Sequence, residues 1–93
     1  MKTFNFKGTD VSVKVIRTIT PNRIQLTSVT DGVPLAMATA NLPSLDNIEG
    51  YVAVKNYNEN EGMLKFLLEN DIVEWPVTFI EENQVSFPIC KLK

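Results

Sequence analysis

The sequence has no histidine. Its absence removes the commonest general base near neutral pH, the usual partner of a nucleophilic serine or cysteine, and the usual zinc ligand. One cysteine, Cys90, is present, so neither an internal disulfide nor a cysteine-clustered metal site can form, and a reducing cytoplasm is the expected compartment. Four glycines form no Gly-rich phosphate loop and no nucleophile elbow. No window of about 18 apolar residues occurs, and the opening Met1-Lys2-Thr3-Phe4-Asn5-Phe6-Lys7 is neither a signal peptide nor a membrane span. A strong excess of charge is missing too. Nine basic against eleven acidic side chains leave −2 and a pI near 5.0, with no general attraction for phosphate backbones or anionic lipid. Nucleic acid and membrane are therefore not expected partners.

What is present fits one domain spanning residues 1–93, since 10.5 kDa seldom divides into two packed cores. The charge is unevenly placed: +2 up to Asp46 and −4 beyond it. Phe4 and Phe6 alternate with polar residues as a short strand from Thr3 to Lys7, turning at Gly8-Thr9-Asp10. Val11, Val13 and Val15 share the face of a second strand, with a phase shift at Ile16 and Ile19 that a bulge would supply. Pro21-Asn22 interrupts the chain before a third strand over Ile24–Val29, and Asp31-Gly32 is the strongest hairpin signal. Leu35–Ala40 alternates large residues with alanines as a fourth strand. Tyr51–Lys55 is a fifth, after a turn-rich connection from Asn41 to Gly50.

The period then changes. Asn58 followed by Glu61 matches a helix cap, and Met63, Phe66 and Leu67, with Leu64 to the side, form one apolar stripe on a helix from about Glu59 to Glu69. Asn70-Asp71 stops it. Trp75-Pro76 enters a hairpin of Val77–Ile80 and Val85–Ile89 around Glu81–Gln84, with Pro88 marking a sheet edge. The expected class is α+β: a mainly antiparallel sheet of about six to seven strands with one helix packed on one face, in the order βββββαββ.

No constellation of catalytic residues emerges, and no cofactor or metal site is expected. Asn56–Gly62 resembles a calcium loop in its oxygens but fails in spacing, because Gly62 falls seventh and Leu67 twelfth. Glu81-Glu82 is the only adjacent carboxylate pair, and neighbours in a turn point apart. Cys90 lacks a base to activate it. The aromatics Phe4, Phe6, Tyr51 and Tyr57 with Lys7, Lys14, Arg17 and Arg23 offer a stacking platform for a single strand, which the net charge opposes. Trp75 and the tyrosines suit a protein interface better. The candidate partner surface comprises Phe4, Phe6, Tyr57, Glu59, Glu61, Glu74 and Trp75, with a homodimer through the Thr3–Lys7 edge as one form of contact.

The second half carries Asn56, an acidic-polar helix start, Phe66-Leu67-Leu68-Glu69-Asn70, and Phe87-Pro88-Ile89-Cys90-Lys91-Leu92. Over roughly the last 40 residues this resembles a family of short uncharacterised proteins carried by phages and conjugative elements of gut bacteria, which end in a similar helix, turn and aromatic-proline-apolar strand. Asn70-Asp71 stands where that pattern has a glycine-rich helix exit. The resemblance implies no catalytic residues. It implies a mobile-element setting, in which small acidic non-enzymatic proteins inhibit host defence machinery, such as an immune nuclease, by binding it. The alternative is a nucleic-acid-associated accessory protein using the basic first half.

Overall fold

The computed structural model describes residues 2–17, 22–45 and 48–93. Strands β1 (Phe4–Phe6) and β2 (Thr9–Ile16) form a hairpin closed by Lys7-Gly8, both at positive φ (50° and 87°), the two-residue turn whose twist matches that of the strands. The turn thus falls one residue earlier than Gly8-Thr9-Asp10. Strand β3 (Arg23–Ser28) pairs with β2 without interruption from Val11↔Ser28 to Ile16↔Arg23, so Ile16 brings no phase shift; Ile19 and Pro21 lie outside the described residues. The Asp31-Gly32 turn forms as expected: the Val33 N–H donates to Asp31 Oδ1 at 3.1 Å and the Gly32 N–H to the Ser28 carbonyl at 2.9 Å. Strand β4 (Pro34–Met37) follows, with a bulge between Leu26 and Thr27.

The expected single strand over Leu35–Ala40 is divided at Ala38. Its N–H donates to the Ile24 carbonyl on β3 at 2.9 Å, while its C=O accepts the Lys55 N–H at 2.8 Å. The chain therefore leaves one sheet and enters another at a single buried alanine. Strand β5 (Thr39–Ala40) pairs with β6 (Tyr51–Val54), which pairs with β8 (Val85–Lys91), which pairs with β7 (Thr78–Glu82). The protein is α+β and antiparallel, but the described residues form eight strands in two four-stranded sheets, β1-β2-β3-β4 and β5-β6-β8-β7, rather than one sheet of six to seven strands. Among the described residues six strands, not five, precede the helix. Alternation along Leu35–Ala40 reads as one strand because both halves are extended; only their partners differ.

Helix α1 (Met63–Glu69) buries Met63, Phe66 and Leu67, as the spacing requires, and leaves Leu64 half-buried on its flank. It packs into a core shared by both sheets, against Phe6, Val11, Ile24 and Leu26 from the first and Val52, Val54 and Cys90 from the second. It is thus not laid on one face of a single sheet. A second cluster, Leu42, Leu45, Ala53, Phe87 and Ile89, covers the other face of the second sheet, so Tyr51–Val54 and Phe87–Cys90 are apolar on both sides.

Two local expectations fail for identifiable reasons. The helix cap is not Asn58, which sits with φ 54° in a 3-10 turn over Asn58–Asn60. Instead Asn56 Oδ1 accepts the Leu64 N–H at 2.9 Å, and Gly62, at φ 91°, swings the chain into α1. Pro88 is not on an edge strand, because β8 lies between β6 and β7. The Ile89 carbonyl accepts the Val77 N–H on the β7 side and the Leu92 N–H reaches the Gly50 carbonyl on the β6 side, so the Pro88 nitrogen faces β6 by alternation. The ladder with β6 ends at Ala53↔Ile89, one residue short of Pro88, and no donor is missed.

Asn60 pins the 3-10 turn to β4: its buried side chain donates from Nδ2 to the Met37 carbonyl at 2.8 Å. Asn60→Ala should cost about 1–2 kcal/mol, read from urea unfolding, because that carbonyl loses its partner.

Candidate partner-binding face

Strand β7 is the last strand of its sheet, and the chain reaches it irregularly. Val73 bridges to Leu92 and Thr78 pairs with Ile89, so five steps along one strand run against three along the other. The surplus falls at Glu74–Val77. Pro76 has no N–H to give the ladder there, and the backbone bulges outward. Trp75, Val77 and Phe79, spaced two apart, are the most exposed large apolar side chains among the described residues, at 77%, 64% and 60%. Edge strands are ordinarily blunted by charge, proline or a bulge; this one has Glu81, Glu82, Pro76 and the bulge, and still displays three apolar side chains.

Phe79 pairs across the ladder with Pro88, and Ile80 with Phe87. Alternation sends Ile80 to the small cluster of Phe87 and Ile89, and Phe79 to the opposite face, where the flank of α1 stands. Two open clefts result, sharing Asn56 and Leu64. One, of about 500 Å³, lies between Trp75 and Leu64, Lys65, Leu68 and Glu69 of α1. The other, of about 510 Å³, lies between Phe79, Pro88 and Tyr57. The turn at Asn83-Gln84 (φ 52° and 65°) makes Glu82↔Val85 the closing hydrogen-bonded pair. Thr78, Ile80 and Glu82 therefore direct their backbone groups at β8, whereas Phe79 and Glu81 direct theirs outward.

From Phe66 to Cys90 there is no lysine or arginine, and there are five acids: Glu69, Asp71, Glu74, Glu81 and Glu82. Asp71 is bonded to Lys93, whose hydrogen bond and charge hold its carboxyl below the ordinary carboxylate range.

The residues picked out from sequence divide into two groups. Trp75, Glu74 and Tyr57 belong to this face or its rim, and Glu61 is exposed beside Gly62, which lines the Trp75 cleft. Glu59 lies in the Asn58–Asn60 turn, with its side chain outside what the structure describes. Phe4 and Phe6 are elsewhere. Strand β1 is indeed at a sheet edge, but Phe6 is buried and Phe4 half-buried, both meeting Phe66 edge-to-face at centroid distances of 5.2 Å and 6.1 Å. They are core and core-edge residues, so the homodimer through that edge loses its apolar anchors. Val77 and Phe79 are the residues the sequence reading missed. The alternation Trp75-x-Val77-x-Phe79 was the available signal, and it does not say which face is covered.

Phe4 and Phe6 pack into the core shared by both sheets and Tyr51 and Tyr57 against the second cluster, so the four aromatics do not form one stacking platform. Arg17 donates to the Lys93 carbonyl at 2.8 Å and Arg23 to Asn41 Oδ1 at 3.2 Å, while Lys2 and Lys7 lie over the rings of Phe4 and Phe6. Tyr57 instead meets Phe87 edge-to-face at 5.9 Å.

Cys90 is buried, and burial pushes its thiol from the ordinary 9.0 up to about 11. A thiol raised in the folded state favours folding while protonated. That contribution is complete below about pH 9 and declines as pH rises toward 11, by up to about 2–3 kcal/mol. The urea stability of the parent relative to Cys90→Val should fall across this window, and iodoacetamide should label Cys90 only after unfolding.

Among the described residues, no group of three or more His, Cys, Asp or Glu is placed to hold a metal ion, and no helix is long and apolar enough to cross a membrane. No family model matches the chain, and neither does any curated protein or solved structure.

Proposed function

We propose that this chain is a non-enzymatic protein-binding module that engages its partner with the open edge of β7 and the clefts between that edge and α1. The supporting observation is the coincidence, on β7 and the segment leading into it, of an unpaired backbone edge and the three most exposed large apolar side chains among the described residues. Apolar area left on an edge costs solubility and invites aggregation, so a protein retaining it gains by having it covered. The mobile-element setting implied by the resemblance of the second half makes a host defence protein, such as an immune nuclease, the first partner to test. The engaged arginines and inward-turned phenylalanines weigh against the nucleic-acid alternative.

Parent protein and the Trp75→Ala/Phe79→Ala double variant, matched by circular dichroism, would be used to capture proteins from a lysate of phage-resistant bacteria. The expected result is a defence component recovered by the parent and lost by the variant. Equal recovery by both, or no recovery together with unchanged phage plating on defended cells, overturns the reading.

A further inference from the structure

We infer that the segment bound at β7 is an extended strand of the partner in which two consecutive apolar residues adjoin two consecutive lysines or arginines. The inference rests on the protein-binding reading and specifies the chemistry of what is bound. The outward N–H and C=O groups of Phe79 and Glu81 can pair with an added strand. Side-chain alternation then sets what that strand must carry. Phe79 and Glu81 share one face, so a neighbouring strand places an apolar residue beside Phe79 and, two positions along, a cation beside Glu81. Ile80 and Glu82 make the same demand on the other face. Glu74 extends the acidic character toward the Trp75 bulge and Glu69 stands across the cleft, where Lys65 is the one basic residue lining it.

The same charges argue against a second copy of the chain at this edge. In whatever register β7 pairs antiparallel with a second copy of itself, no glutamate gains a cation, because the strand carries none. A segment that is both apolar and basic satisfies the backbone, the exposed rings and the unmatched acids together.

The test uses the whole protein, isotope-labelled for NMR, and a short end-blocked peptide in which pairs of valines alternate with pairs of lysines. The expected result is a set of amide shift changes confined to residues 75–82 and the facing flank of α1, with hydrogen exchange slowed at Phe79 and Glu81. Affinity should fall about tenfold from low salt to roughly 0.5 M salt. A peptide with glutamate in place of lysine should not bind, N-methylation of the lysine–valine backbone should abolish binding, and Glu81→Lys with Glu82→Lys should reverse the charge preference. Equal binding of the lysine and glutamate peptides, or shifts centred elsewhere, overturns the inference. So do concentration-dependent shifts at β7 without peptide, alone or together with β1, which would identify a second copy as the occupant. If the peptide fails while Trp75 and Phe79 still govern protein capture, the strand chemistry is wrong and the binding reading stands; if capture is also indifferent to them, both fall.

Discussion

Phe66→Ala should lower the unfolding free energy by about 3–5 kcal/mol, seen as an earlier urea midpoint with an unchanged slope. Phe66 is 5% exposed and sits where α1 meets β1. Two rings close on it edge-to-face, Phe4 at 72° and Phe6 at 76°, and such pairs contribute about 0.5–1.5 kcal/mol each beyond the area they bury. Truncation removes both and leaves a void that a rigid hairpin cannot fill. A domain of this size has about 5–15 kcal/mol in all, so the variant would be marginal at room temperature. Phe66→Leu, which keeps most of the volume, should cost well under half as much. Strand β1 is three residues long and relies on this contact for its inner side chains, so its amides should lose exchange protection first. A Phe66→Ala protein with an unshifted midpoint would mean that α1 presents another face to the sheets.

The Trp75→Ala/Phe79→Ala variant should behave in the opposite way. It deletes more aromatic surface than Phe66→Ala, yet its urea midpoint should stay within about 0.5 kcal/mol of the parent, because exposed side chains surrender little packing. Its cost should appear in binding. Exposed tryptophan and phenylalanine beside apolar clefts are the kind of side chain on which interface energy concentrates, and losing both should weaken the captured partner by at least about a hundredfold, close to 3 kcal/mol. Calorimetric titration against that partner measures it. A variant destabilised by more than about 2 kcal/mol would show that these residues belong to the core, and undiminished affinity would place the partner on another surface.

The contrast between Phe66 and Phe79 shows how far the sequence could be read. Met63, Phe66 and Leu67 recur at helical spacing, and that spacing alone puts them on one side of α1, where the structure buries them. The Asp31-Gly32 reversal and the terminal hairpin are equally local, since they depend on backbone freedom within a few residues. Phe4, Phe6 and Phe79 all sit in alternating strand patterns that look alike. Two are turned inward onto Phe66 and one is left outside, and no neighbour in the sequence distinguishes them.

Legible in the sequence alone are the residue chemistry available, the antiparallel α+β class, the buried stripe of the helix, and the Asp31-Gly32 reversal and terminal hairpin that depend on local φ. The tertiary structure decided the rest. Ala38 shows why: its N–H is claimed by Ile24 and its C=O by Lys55, partners fourteen and seventeen residues away on opposite sides, and that division makes two sheets of what reads as one. Pro88 reads as an edge residue and lies in a central strand because the β6 ladder stops one residue before it. Periodicity states which side chains share a face; which face is covered, and which strand is left at the edge, depends on pairings between distant segments that no local pattern contains.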